Sequence, residues 1–145
     1  MYLAEYCKGP GTKQYMETYL SLCLRSTELE INFENPICNI ISRENLESGN
    51  FLDTEGFAIR IPERCRGCQD LEQSSFWRRG GLYAVTYHKG TYESIGKSYE
   101  RLLDVICGEG YQIVGDAFET DLLSTLTSME PDDYLKLISV PVRKR

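Results

Sequence analysis

The chain has 145 residues, 41% of them hydrophobic and 26% charged, with a formal net charge of −6. That is one domain's worth of core and an ordinary solvated surface. The balance argues against a nucleic-acid surface, because phosphate contacts need a basic stripe and only Arg78-Arg79 and Arg143-Lys144-Arg145 are basic runs. No stretch is long and apolar enough to span a bilayer and no signal peptide opens the chain, so the expected location is the cytoplasm, with no membrane partner.

In chain order, Tyr2 to Cys7 reads as a first strand. A core strand starting there is expected of a domain cut from a longer polypeptide. Thr12 to about Arg25 reads as a helix whose Tyr15, Met16, Tyr19, Leu20, Cys23 and Leu24 form a wide apolar face. Ile37 to Ser42 is a short Ile-rich strand, and polar Arg43 to Thr54 is expected to be a hairpin loop. Phe57, Ile59 and Ile61 alternate with Ala58 and Arg60, as in a half-buried strand. Pro62 to Phe76 is charged and reads as a linker.

After Gly80-Gly81, Leu82 to Tyr87 is rich in β-branched and aromatic residues and predicts a strand. Lys89-Gly90-Thr91 turns the chain, and Thr91 is placed to cap a helix. Ile95, Tyr99, Leu102, Leu103 and Ile106 fall on one helical face, which Gly108 and Gly110 end. Tyr111 to Glu119 reads as a strand, Asp121 to Asp133 as a polar loop, and Tyr134 to Val142 as the last strand.

The two halves repeat. Tyr6-Cys7-Lys8-Gly9 aligns with Tyr87-His88-Lys89-Gly90, Tyr19 with Tyr99, Leu22 with Leu102, and Ile59 to Pro62 with Ile138 to Pro141. Their shared order predicts a duplicated βαββ module, repeat 1 over about 2–62 and repeat 2 over about 80–142, joined by a linker over about 63–79. The expected class is α+β, a single domain over 1–145 with one antiparallel sheet and two helices on one face. A groove between those helices is a natural small-molecule site.

Several residues invite chemistry, each beside a plainer alternative. Cys65 and Cys68 have the spacing of half a zinc knuckle or a redox pair, but four ligands are not evident, so two linker thiols and no metal are expected. The only histidine, His88, closes a strand without a visible triad partner. Of ten tyrosines, Tyr6, Tyr87 and Tyr134 lie on strands and Tyr19 on a helix, while Tyr92 follows the Thr91 cap. They are either sheet packing or an aromatic cage for a flat or cationic molecule. Phe118 and Glu119 face opposite sides of their strand, so Glu119 faces water or the groove if Phe118 faces a core.

Gly81 to Gly90, the Tyr99-x-x-Leu102 helix, Val114-Gly-Asp-Ala-Phe-Glu119 and Asp132 to Pro141 together resemble the GyrI-like small-molecule-binding family. The likeness is greatest to the C-terminal effector-binding domains of MerR-type transcription regulators. It covers 80–142, and more faintly 2–62, and implies paired βαββ units, the SHS2 module. It also implies a pocket for hydrophobic, often cationic, aromatic compounds, with a strand glutamate meeting the positive charge. That glutamate falls on Glu119, a helix tyrosine on Tyr19 and a last-strand tyrosine on Tyr134. With Tyr87, Tyr92 and Tyr6 these make the expected ligand-binding set, with no cofactor and no catalysis.

No helix-turn-helix is visible, so DNA contact falls to parts absent from this chain, in a full-length regulator expected to be a homodimer. Two alternatives stand beside ligand sensing. One is hydrolysis of reactive small-molecule toxins using Glu119 and Trp77; the other is protein binding of the gyrase-inhibitor type.

Overall fold

A computed structural model of the chain describes residues 1–31, 35–66, 71, 74–123 and 130–145. Its strands are β1 (Tyr2–Tyr6), β2 (Cys38–Ile41), β3 (Gly56–Arg60), β4 (Ser75–Phe76), β5 (Leu82–Lys89), β6 (Tyr111–Ile113), β7 (Ala117–Leu123) and β8 (Leu135–Lys144). The α-helices are α1 (Thr12–Glu28), α2 (Arg43–Ser48) and α3 (Gly96–Gly108).

All pairings are antiparallel, and the strands form one sheet in the order β4-β1-β3-β2-β7-β8-β5, with β6 also on β8. Without the edge strand β4 this order is palindromic. β1, β3 and β2 of the first half correspond to β5, β8 and β7 of the second, and β2 meets β7 at the join. Two βαββ units related by an approximate two-fold at that join give this order, as the internal repeat predicts.

Alternation along the strands sorts the core into two layers. Leu3, Phe57 and Ile59 face α1 and pack on its Leu22. Ala117, Ile138, Val140 and Val142 face α3 and pack on Tyr99, Leu102 and Ile106. Their strand neighbours Ala4, Cys38, Ile40, Ala58 and Phe118 point to the opposite face. Among the described residues that face carries no helix, and it is covered by side chains from β4 and the segment after it: Phe76 stacks on Tyr2 and Phe118 at 5.6 and 5.9 Å. The guanidinium of Arg78 lies over Phe118 at 4.6 Å and over Tyr83 at 4.3 Å, and donates to Ser139 Oγ at 2.7 Å. β3, expected to be half-buried, is therefore buried on both sides through Ala58.

Other local expectations change. Arg43 to Ser48 is a helix: Ser42 Oγ accepts from the Asn45 N–H and Gly49 ends it in the left-handed region at φ 77°. Tyr111 to Glu119 is two strands on the same flank of β8, interrupted at Val114–Asp116. The linker region includes β4, which pairs with β1. On α1, Met16, Leu20 and Leu24 are exposed, and the buried residues are Thr18, Leu22 and Ser26. Thr18 and Ser26 can enter the core because their hydroxyls donate to the carbonyls of Gln14 and Leu22, leaving no polar hydrogen unpaired. Among the described residues no helix is long and apolar enough to cross a membrane.

Candidate functional site

Between α1 and α3, over the join of β2 and β7, lies a groove of about 430 Å³. Tyr15, Met16 and Tyr19 of α1 form one wall. Tyr92 and Ile95, at the entry to α3, form the other. Phe51, Leu52 and Thr54, after α2, close one end. The floor is the sheet itself: Asn39, Phe57, Glu119, Asp121 and Lys136. Period-two alternation puts them there, because Asn39 pairs with Glu119 and Asp121 with Lys136 across adjacent strands.

The polar floor is a tight cluster. Glu119 and Lys136 are each only 3% exposed. Lys136 Nζ donates to Glu119 Oε2 at 3.0 Å and lies 3.1 Å from Asp121 Oδ1. It also sits 4.9 Å from the centre of the Tyr92 ring. The other oxygen of Glu119 accepts from the Tyr99 hydroxyl at 2.8 Å. Burial works against the charge on Lys136, but Glu119 and Asp121 outweigh it and hold the ammonium's pKa above its usual value. The Tyr99 phenol is pushed well up, by burial first and by the charge of Glu119 second, and stays a donor.

Of the expected ligand-binding residues, the structure brings Glu119, Tyr19 and Tyr92 into the groove. Tyr134 lies behind it, buried and stacked on Tyr92 at 5.4 Å. Tyr87 and Tyr6 do not reach it: they are 61% and 56% exposed. Tyr87 is on the edge strand β5, and Tyr6 borders a separate cavity on the helix-free face. That cavity, about 720 Å³, also holds Trp77 and Phe118. Trp77 and Glu119 thus belong to opposite faces of the sheet, and the pair needed for the hydrolase alternative is not assembled.

Lys136, Asp121 and Tyr99 are not among the expected site residues: in the sequence Tyr99 reads as part of a helical face and Asp121 as the start of a loop. A signal for Lys136 was present: it alternates with Ile138, Val140 and Val142, all on the buried face.

His88 is buried in a structural role. Its ring nitrogens meet Ser98 Oγ and the Thr91 carbonyl, each at 2.9 Å, fastening the end of β5 to the start of α3. Nε2–H donates to that carbonyl, which leaves Nδ1 to accept from Ser98. Cys65 is buried and Cys68 lies outside the described residues. Among the described residues, no group of three or more His, Cys, Asp or Glu side chains is placed to hold a metal ion.

No protein-family model matches the sequence, and no curated protein matches it significantly. Solved structures do share its fold. The crystal structure of the EcmrR C-terminal domain superimposes with a TM-score of 0.63 at 14% identity, covering 99% of this chain and 93% of that one. The cryo-EM structure of the EcmrR–DNA complex in EcmrR-RPo gives a TM-score of 0.61 at 14% identity, over 99% of this chain and 54% of that chain. This chain thus spans about half the length of EcmrR as seen in that complex. At this identity the likeness establishes the fold, which is the one the sequence resemblance implied.

Proposed function

We propose that the chain is the ligand-sensing domain of a MerR-type transcription regulator, and that its groove takes a hydrophobic aromatic small molecule. The observation that carries this reading is the groove itself. Tyrosines from both helix walls and buried charges on the floor meet in a cavity of about 430 Å³, the size of a fused-ring compound. The walls come from both βαββ units, so a bound molecule bridges them and favours one spacing of α1 and α3. A sensor needs such a ligand-dependent preference. The activity is binding alone.

The fold shared with the C-terminal domain of a protein solved on DNA supports the context. In this reading DNA contact and homodimer contacts belong to other parts of the regulator, which works in the cytoplasm, and the acidic domain itself stays off the DNA.

The test is a fluorescence titration with the neutral dye Nile red against the wild type, Leu52→Asp and Met16→Asp. Both positions are on the groove's rim and exposed, so the fold tolerates the change. Saturable binding weakened about tenfold or more in either variant supports the reading, a loss of about 1.4 kcal/mol. No saturable binding, or equal binding by all three proteins, refutes it.

A further inference from the structure

We propose that Lys136 is the groove's own resident cation, and that by occupying the carboxylates of the floor it makes the groove selective for uncharged aromatic ligands over cationic ones. This rests on the groove being the ligand site.

The ammonium of Lys136 already lies among the groups a ligand cation would use. An ammonium has three N–H donors. Lys136 Nζ donates to Glu119 Oε2 at 3.0 Å, forms an ion pair with Asp121 Oδ1 at 3.1 Å and sits 4.9 Å from the centre of the Tyr92 ring. Both oxygens of Glu119 are used, one by Lys136 and the other by Tyr99. An aromatic face and a buried carboxylate are what a lipophilic cation would seek, and here a tethered ammonium already holds both. A ligand cation would have to displace it and leave a second positive charge buried beside its own. The cluster keeps one negative charge in excess, on Asp121, whose Oδ1 is buried against Lys136 while its side chain as a whole is 31% exposed, so solvent weakens that charge's pull on a ligand. A neutral ring system meets no such penalty and slides over the paired charges between Tyr19 and Tyr92.

The experiment measures Nile red (neutral) and rhodamine 6G (cationic) binding to the wild type, Lys136→Arg and Lys136→Met by fluorescence. The readout is the ratio of the two dissociation constants. The wild type should favour Nile red, and Lys136→Arg, which keeps the charge, should keep that preference. Lys136→Met, which unmasks both carboxylates, should shift the ratio toward rhodamine 6G at least tenfold.

Should Lys136→Met not fold, Lys136→Met/Asp121→Asn, which leaves one unpaired carboxylate, must show the same shift. A ratio within about threefold of the wild type in the folded variant overturns the proposal. So does a wild type that binds rhodamine 6G more tightly than Nile red. Both results leave the groove standing as a ligand site, whereas failure of both dyes to bind any of these proteins removes the site itself.

Discussion

The hydroxyl of Tyr99 on α3 donates to Glu119 Oε1 on β7 at 2.8 Å, tying the helix that walls the groove to the acid on its floor. The Tyr99 ring is fully buried and stacks on Phe51 at 4.7 Å, so Tyr99→Phe preserves the packing and removes only the donor. Glu119 then keeps a buried oxygen without a partner. The expected cost is about 1–3 kcal/mol of folding free energy, read from urea unfolding with an unchanged m-value. A loss below about 0.5 kcal/mol would mean that the oxygen finds another donor.

Gly56 on β3 tests how closely the central strands are built. A Cβ there would lie 2.4 Å from the Glu5 carbonyl oxygen and 3.0 Å from the Tyr6 Cα, both backbone atoms of β1. Gly56→Ala should therefore push the strands apart and cost about 1–3 kcal/mol. Gly80→Ala is the control: nothing lies within 4 Å of its Cβ, and its stability should stay within about 0.5 kcal/mol of the wild type. Equal unfolding midpoints for the two variants would contradict the strand register.

Cys38, on the helix-free face, makes stability depend on alkali. Burial pushes its thiol from 9.0 up to about 12, against a smaller opposing pull from Arg78. The folded state thus holds the proton that the unfolded chain releases. That contribution is fully present below pH 9 and is lost as pH rises toward 12. The expected slope is about 1.4 kcal/mol per pH unit. Tyr99 and Lys136 are also shifted upward, from 10.0 and 10.5, and add to the fall above those values. Cys38→Ala should show the shallower alkaline limb between pH 9 and 10 in urea unfolding. Parallel limbs in that interval would refute the assignment to this thiol.

The duplication was legible because it rests on strand and helix order, which survives where identities are few. Glu119 was legible in part: alternation placed it opposite Phe118, and the fold decided between water and the groove. The inner face of α1 misled, because its buried positions include the hydroxyls of Thr18 and Ser26, while Met16 and Leu20 look like core and are exposed. Arg43 to Ser48 gives too few turns for a hydrophobic period, so its cap residues Ser42 and Gly49 were the only available signal. Tyr6 and Tyr87 were placed on the correct strands, but a strand residue's role depends on which face it takes, and composition is silent on that.

The asymmetry of the buried charges yields the last prediction. Among the described residues Lys136 has two carboxylate partners, whereas the ion-pair partner of Glu119 is Lys136 alone. Glu119→Gln leaves Lys136 paired with Asp121 and keeps an amide oxygen for Tyr99, so it should cost about 1–3 kcal/mol. Lys136→Met fills similar space but leaves Glu119 buried and unpaired, next to a second carboxylate of the same sign. Removing one partner of a buried pair typically costs about 3–5 kcal/mol, so this variant should be clearly the less stable. In the double variant Lys136→Met/Glu119→Gln, Asp121 is the remaining carboxylate, and its partial exposure lets water solvate it. The double variant should therefore be more stable than Lys136→Met alone, with a coupling on the order of 1–3 kcal/mol in a double-mutant cycle by urea unfolding. Additive losses would show that the two charges are solvated independently, and that the floor of the groove is not the closed ion cluster its distances describe.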